Sequence, residues 1–435
     1  MDTHTTQRSP WQPPTGYIPV VSKLDGITVF GPRPTESTVA EPRTFSCPQC
    51  GAALAYDVAA GGVACEHCGY AAPTQTAAPA EHQEFTFEAL AAGAQGWGVA
   101  RRQLHCETCG ADLTLADGAL STTCPFCASP QVNVRAAAGD ALRPGGLAPF
   151  TVAVGTARPL VQTWLGRGWF HPDGLAAAAR LDTLTGVYLP FWLFGARLQA
   201  PWKAEVGYEE TETYLDPSDM KRKTRQVIRW RWESGQAVVD VADLPVSGTS
   251  RVDAEVLHDI GPFALDRVQT FSPDFLAGWQ AQAYDVALPK AWESGKVTLR
   301  EQAEAACRAQ IHSGHVRNLH VTVDFADETW RYVLLPAYLA AYRFEGKVYQ
   351  VMVNGQTGSV AGQKPVAWNK VWAVIALMLA PGVFLSLIGL PLLLVGGLGL
   401  IPLFIGLILF VAGVVGSLIL YSRVSRNERG VERPQ

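Results

Sequence analysis

Eight of the nine cysteines stand in two matching sets. Cys47-x2-Cys50 is followed after 14 residues by Cys65-x2-Cys68, and Cys106-x2-Cys109 is followed, again after 14, by Cys124-x2-Cys127. The second set begins 59 residues after the first, so the unit is repeated. A Cys-x2-Cys pair on a tight turn aims two sulfurs at one point. Two such pairs supply four thiolates at tetrahedral zinc–sulfur geometry, about 2.3 Å each. Gly51, Gly69 and Gly110 directly follow their turns, where a positive φ costs glycine little, whereas Ala128 follows the fourth. The spacing therefore predicts two structural Zn2+ ions held by Cys47, Cys50, Cys65 and Cys68 and by Cys106, Cys109, Cys124 and Cys127. A site closed by four thiolates leaves no open position for water or substrate, so the metal is structural rather than catalytic. His67 and His105 sit beside ligands and read as bystanders. Cys307, alone in TLREQAEAACRAQIHS, reads as a small buried residue of a helix.

No other residues assemble into a readable catalytic set. The chain has no G-x-x-x-x-G-K-[ST] loop, no G-x-G-x-x-G between a strand and a helix, and no H-E-x-x-H or G-x-S-x-G. The expectation is a protein without enzymatic activity. Nucleic-acid binding would require clustered Lys and Arg. From Arg43 to Arg135 there are four basic residues against eight acidic ones, a balance of −4. Each zinc with four thiolates adds about −2 more. That balance favours a protein partner for the ribbons over a phosphate backbone.

The elements that must position the ribbons follow from composition and periodicity. The chain has 435 residues, 17% of them charged, and a net charge of −4. This length suggests two to four units, and 48% apolar residues exclude a wholly disordered chain. The first 20 residues hold no cationic start followed by an apolar run, which predicts no signal peptide. Residues 1–42, with seven prolines, read as a disordered leader. Ribbon 1 is placed at 43–72, a linker at 73–103, and ribbon 2 at 104–135. Residues 140–363 read as an α+β body. Within it, 157–167 suggests a helix with Leu160, Trp164 and Leu165 on its apolar face, and 298–312 suggests another. GVYLPFWLFGARLQA (186–200) reads as a strand broken or bulged at Pro190. WRYVLLPAYLAAYRF (330–344) echoes it, with Pro336 in the place of Pro190, and hints at two related halves. KVYQVMVNGQTGSVA (347–361) reads as a hairpin turning at Asn354-Gly355.

One charged stretch admits two readings. VGYEETETY (206–214) is acidic and KRKTRQVIRWRW (221–232) is basic, with Asp216-Pro217-Ser218-Asp219 between them. In the second run Arg225, Arg229 and Arg231 alternate with Ile228, Trp230 and Trp232, giving a strand one basic and one apolar face. Either the two runs form a hairpin with cross-strand ion pairs, or the basic-aromatic strand meets anionic lipid or an acidic partner.

Residues 371–422 contain no charge over 52 positions. A bilayer core of about 30 Å needs roughly 20 helical residues per crossing, so two crossings and a short turn fit. They are placed at 371–394 and 400–421, with Gly396, Gly397 and Gly399 at the turn and Pro381 and Pro391 kinking the first helix. Lys364 and Lys370 precede the segment, and Arg423, Arg426, Arg429 and Arg433 follow it. The positive-inside rule then puts both termini, including the basic tail 423–435, in the cytosol. The expected localisation is a multi-pass protein of the cell membrane with a cytosolic body.

Taken together, CPQCG (47–51), CETCG (106–110), VYLPFW (187–192), KVYQVMVNGQTG (347–358) and the paired C-terminal helices resemble a bacterial family. These are the membrane-anchored tandem zinc-ribbon proteins encoded beside phage-shock protein A homologues and SPFH (flotillin-like) proteins. The resemblance covers 43–425. Members are often labelled primosomal protein N′ (replication factor Y) or helicase-like. With no nucleotide-binding loop here, that label reflects only the cysteine ribbons. The resemblance implies a membrane adaptor that recruits envelope-stress partners of the phage-shock and SPFH types. The alternative is a zinc-ribbon protein that binds nucleic acid at the membrane.

Overall fold

A computed structural model describes residues 17–20, 29–32, 45–74, 83–84, 102–115, 123–127, 129–136, 142–178, 184–218, 220–393 and 399–432. Within the leader, two short runs pair antiparallel, β1 (Tyr17–Val20) with β2 (Val29–Pro32). The proline-rich composition pointed to no structure there. YIPV and VFGP are nonetheless rich in β-formers. Ribbon 1 carries a three-stranded sheet of β3 (Ala55–Asp57), β4 (Gly62–Ala64) and β5 (Ala71–Pro73). Past it, β6 (Gln83–Glu84) lies within the stretch read as linker and pairs with Thr329–Trp330 of the body. Ribbon 2 is built on β7 (Arg102–Cys106), flanked by β8 (Asp112–Leu115) and β9 (Val132–Ala136).

The body is sheet-rich. After β10 (Gly146–Leu147) and helix α1 (Val154–Leu165) comes β11 (Thr185–Leu215), which turns back as β12 (Arg222–Ser247). Then follow β13 (Gln269–Thr270), β14 (Gln280–Gln282), helix α2 (Leu288–Ala309), β15 (His315–Val321), β16 (Asp324–Phe344), β17 (Lys347–Asn354) and β18 (Val360–Gly362). Strands β11 and β16 run antiparallel through the centre, Leu189 opposite Leu335. One face of this pair buries Tyr188, Trp192, Tyr332 and Tyr338 under α1 and α2, and the other buries Val187, Leu189, Val333 and Leu335 against ribbon 2. Helix α1 buries Ala157, Val161 and Leu165. Leu160, expected on that face, is 36% exposed, because the buried stripe runs one residue out of phase with it. Helix α2 begins ten residues ahead of 298, with Pro289 in its first turn, a position where proline's missing N–H costs nothing.

Pro190 does not break its strand. Its carbonyl accepts from Gly248 N (2.9 Å), so the side lacking an N–H faces the point where β12 has already ended. The bulge lies instead at Gly195, where an added Cβ would fall 2.4 Å from Thr329 Oγ1. Pro336 is accommodated the same way, by Gly355 N just past the end of β17 (2.9 Å). The equivalence extends further. Asp285 N and Val286 N both donate to Gly248 O, as Thr151 N and Val152 N both donate to Gly355 O. Parallel β14 joins β11, and parallel β10 joins β16. The echo in sequence is therefore a local two-fold relation between β10–α1–β11–β12 and β14–α2–β16–β17. The tight turn of the second hairpin is Glu345-Gly346, both at positive φ, between β16 and β17. Asn354 instead opens a longer loop to β18, its side chain accepting from Gln356 N (2.8 Å) and Thr357 N (3.1 Å).

Two long apolar helices close the described chain: α3 (Trp368–Leu393) and α4 (Leu400–Glu432). Both are long and apolar enough to cross a membrane, over Trp368–Leu392 and Leu400–Ser425, and their apolar side chains are largely exposed. Gly396 and Gly397, expected at the turn, lie outside the described residues. The pair packs through glycine: a Cβ on Gly382 would fall 2.5 Å from Phe410 N, on Gly406 2.8 Å from Ser386 Oγ, and on Gly413 2.6 Å from Met378 O.

Candidate metal centres

In ribbon 1 each knuckle closes on its own backbone. Gly51 N donates to Cys47 O (2.8 Å) and Gly69 N to Cys65 O (3.0 Å), and both glycines hold positive φ. Ribbon 2 repeats this with Gly110 N to Cys106 O (2.7 Å). At the fourth knuckle Cys124 N donates to Ser129 O (2.9 Å), while Ala128 itself lies outside the described residues. The knuckles bring the eight cysteines together as two groups of four, the sulfurs of each group lying within 4.8 Å of one another. Cys47 to Cys68 is 3.4 Å, Cys50 to Cys65 3.6 Å, Cys106 to Cys127 3.6 Å and Cys109 to Cys124 3.7 Å. A zinc tetrahedron with bonds of about 2.3 Å has sulfur–sulfur edges of about 3.8 Å. The two groups fit that ion, one zinc each, and all eight thiols are free of disulfides.

Without an ion, the thiols of each centre ionise unequally. Backbone N–H groups of Cys68 and His67 bring the Cys65 thiol down to about 7. In ribbon 2, hydrogen bonding from Cys124 draws Cys109 down to about 5, and the resulting anion pushes Cys124 up. Without a metal, one thiolate forms at the expense of its neighbours; a divalent ion stabilises all four at once. His105 is engaged elsewhere, its Nδ1 2.8 Å from Asp112 Oδ1. His67 is exposed. Cys307 is buried on α2 with its Sγ against Ala200 O (3.5 Å), and burial raises its thiol pKa.

The two centres differ in a way the spacing does not reveal. Ribbon 2 shares one sheet with the body: Leu113 and Thr114 of β8 pair with Gln282 and Ala281 of β14. Its Leu104, Leu113 and Phe126 are fully buried, Gln350 Nε2 donates to Phe126 O (2.6 Å), and Arg251 Nη1 donates to Cys109 O (2.5 Å). Among the described residues, ribbon 1 meets the body at the 273–278 segment. Tyr56 N donates to Ala277 O (2.9 Å) and the Tyr56 ring meets Phe275 at 5.3 Å. Its outer knuckle residues Pro48, Gln49, Cys50, Glu66, His67 and Cys68 are exposed.

The charged stretch is the β11–β12 hairpin. Arg225 pairs with Glu212 (2.8 Å), while Arg229 and Arg231 both reach Glu210 at 2.8 Å. The opposite face carries Trp230 under Arg317 and Trp232 beside Lys203, with Trp232 56% exposed. The cations are thus matched largely within the hairpin itself.

Two four-thiol centres on a sheet-rich body, followed by two apolar helices, fit a membrane-anchored zinc-ribbon protein. The chain is similar to the uncharacterized protein YdjG of Bacillus subtilis (strain 168), 26% identical over 267 residues that cover 59% of this chain and 73% of that protein. No family model matches the chain. No solved structure matches it either.

Proposed function

We propose that the protein is a non-enzymatic adaptor, anchored in the cell membrane by the α3–α4 hairpin with both termini in the cytosol. Ribbon 1 is its recruiting surface for a soluble protein. One observation carries this reading: of two closed zinc centres, one is built into the body and the other presents its knuckles outward. A four-thiolate zinc supplies folding energy and a fixed surface, not a reactive position. The acidic balance of the ribbons supports a protein partner over nucleic acid. The resemblance of the sequence motifs supports partners of the phage-shock protein A and SPFH types.

Affinity capture from detergent-solubilised membranes, with and without nuclease, tests the reading. Glu66→Lys with His67→Ala should abolish capture of the partner while two zinc ions per chain are retained. Capture that disappears on nuclease treatment would favour membrane-tethered nucleic-acid binding instead. Capture unchanged by the double substitution would move the partner site onto the body.

A further inference from the structure

Ahead of α3, the chain is held by a turn far from it in sequence. The turn spans 166–173, directly after α1. Lys364 Nζ donates to Trp164 O (2.6 Å) and Arg167 O (2.9 Å). His171 Nδ1 lies 2.9 Å from Pro365 O, and Ala367 N donates to Phe170 O (2.7 Å). Lys370 Nζ reaches His171 O (3.0 Å) and Asp173 Oδ1 (2.6 Å). These bonds place the turn level with the start of α3. Phe170 packs with Val371, Ile375 and Val424, one turn into the hairpin.

The same level is marked by aromatic residues. Trp368 meets Tyr421 across the hairpin at 5.6 Å, and Trp372 is 56% exposed. Tryptophan and tyrosine concentrate where hydrocarbon gives way to headgroups, since their rings are apolar and their N–H or O–H stays wet. Trp169 belongs to this set by position though not by sequence. Its ring stands edge-on to Phe170 at 5.3 Å and is 60% exposed. Gly168 sets its direction. At φ +102 the turn adopts a backbone that side chains disfavour, and a Cβ there would fall 2.6 Å from His171 Cδ2.

We propose that the 166–173 turn is a second, peripheral membrane contact, with Trp169 seated among the lipid headgroups beside α3. The proposal rests on the membrane reading of the hairpin. Its consequence is a body that cannot swivel freely on its anchor: two helices and a separate indole fix its tilt, and hence the direction in which ribbon 1 faces.

Full-length protein in vesicles of phosphatidylethanolamine and phosphatidylglycerol provides the test. In a Cys307→Ala, zinc-loaded background, one variant carries an environment-sensitive fluorophore on Trp169→Cys and another on Ile405→Cys, within the apolar span of α4. A nitroxide on the lipid headgroup should quench the probe at 169, and one deep in the acyl chain should quench the probe at 405. Aqueous iodide should quench 169 several-fold less than a probe on Trp232→Cys. If 405 is quenched from the acyl chain while 169 responds to iodide like 232, the proposal is overturned and the hairpin reading stands. If 405 is not quenched from the acyl chain, both fall.

Discussion

Trp192 and Tyr338 make the same hydrogen bond in two halves of one body. Trp192 Nε1 donates to Val286 O (2.9 Å) and Tyr338 Oη to Val152 O (2.6 Å). Each acceptor lies two residues before its helix begins, and each donor lies two residues after its strand's proline. The bond therefore fixes a helix start against a central strand twice over. Tyr338→Phe removes one donor and leaves Val152 O unpaired in a part-buried setting, which costs toward the low end of about 1–3 kcal/mol. Trp192→Phe should cost more, since it also leaves a cavity. Thermal unfolding in detergent should rank Trp192→Phe below Tyr338→Phe, and both below the parent chain.

The unequal docking of the ribbons predicts unequal metal release. Metal analysis of the purified protein should give close to two zinc ions per chain. Cys47→Ser with Cys50→Ser should remove one and leave the body folded, because among the described residues ribbon 1 gives the body's core Tyr56 and, partly buried, Val58. Cys106→Ser with Cys109→Ser should remove one and destabilise the whole body, because Leu104, Leu113 and Phe126 are part of its core. Under a chelator, zinc should leave in two phases, the faster from ribbon 1. A single phase, or a body indifferent to the second pair of substitutions, would contradict the asymmetry.

Much of this architecture was legible because its signals are local. A Cys-x2-Cys knuckle, a 52-residue uncharged run and a Leu-Pro strand announce themselves within a few residues. What stayed hidden depends on distant partners. Nothing near Thr114 says that β8 will pair with Ala281 rather than end a free ribbon. Pro190 looked like a strand breaker because a proline's tolerance depends on where the neighbouring strand stops, and that neighbour is Gly248. Lys364 and Lys370 read only as orienting charges; their bonds to the 166–173 turn needed the fold. That Trp169 shares a level with Trp368 could not be seen across 199 residues of sequence.

The glycines of the hairpin are not interchangeable. Gly406 and Gly413 sit where α3 and α4 approach closely, whereas a Cβ on Gly416 would meet only Met378 Sδ at 3.6 Å, an ordinary contact. Gly406→Leu should force the helices apart, and Gly416→Ala should be tolerated. Protease resistance of the detergent-solubilised hairpin distinguishes them: lost in the first, kept in the second. Equal behaviour would show that the close crossing does not hold the pair together.

His171 makes the turn at 166–173 sensitive to acid. Burial lowers its pKa, with Lys364 and Lys370 adding repulsion against a charged ring, while its bond to Pro365 O acts in the opposite sense. Asp173, which faces Lys370, offsets part of that repulsion. The unfolded turn therefore binds a proton more readily than the folded one. The stabilisation is fully present above the unfolded value near 6.5 and is lost as pH falls through the lower folded value. Amide protection at 168–173, corrected for the intrinsic pH dependence of exchange, should fall below pH of about 6.5, and His171→Gln should flatten that dependence. An unchanged profile in the variant would assign the effect to another group.

Both ends of the hairpin should lie on the cytosolic side, with the turn near 398 exposed on the other. Four arginines follow the uncharged run 371–422, and Lys364 and Lys370 precede it. The two lysines are already bound to body carbonyls, so they stay with the body whatever the lipid does. If the rule reads only cations free to meet the leaflet, the tail must set the orientation. An impermeant thiol reagent on intact cells should therefore label Cys at 398 and not Cys at 430. Replacing Arg423, Arg426, Arg429 and Arg433 by Gln should weaken that preference more than Lys364→Gln with Lys370→Gln. Labelling at 430 in the parent chain would place the zinc centres outside the cytosol, where their thiols would face oxidation to disulfides.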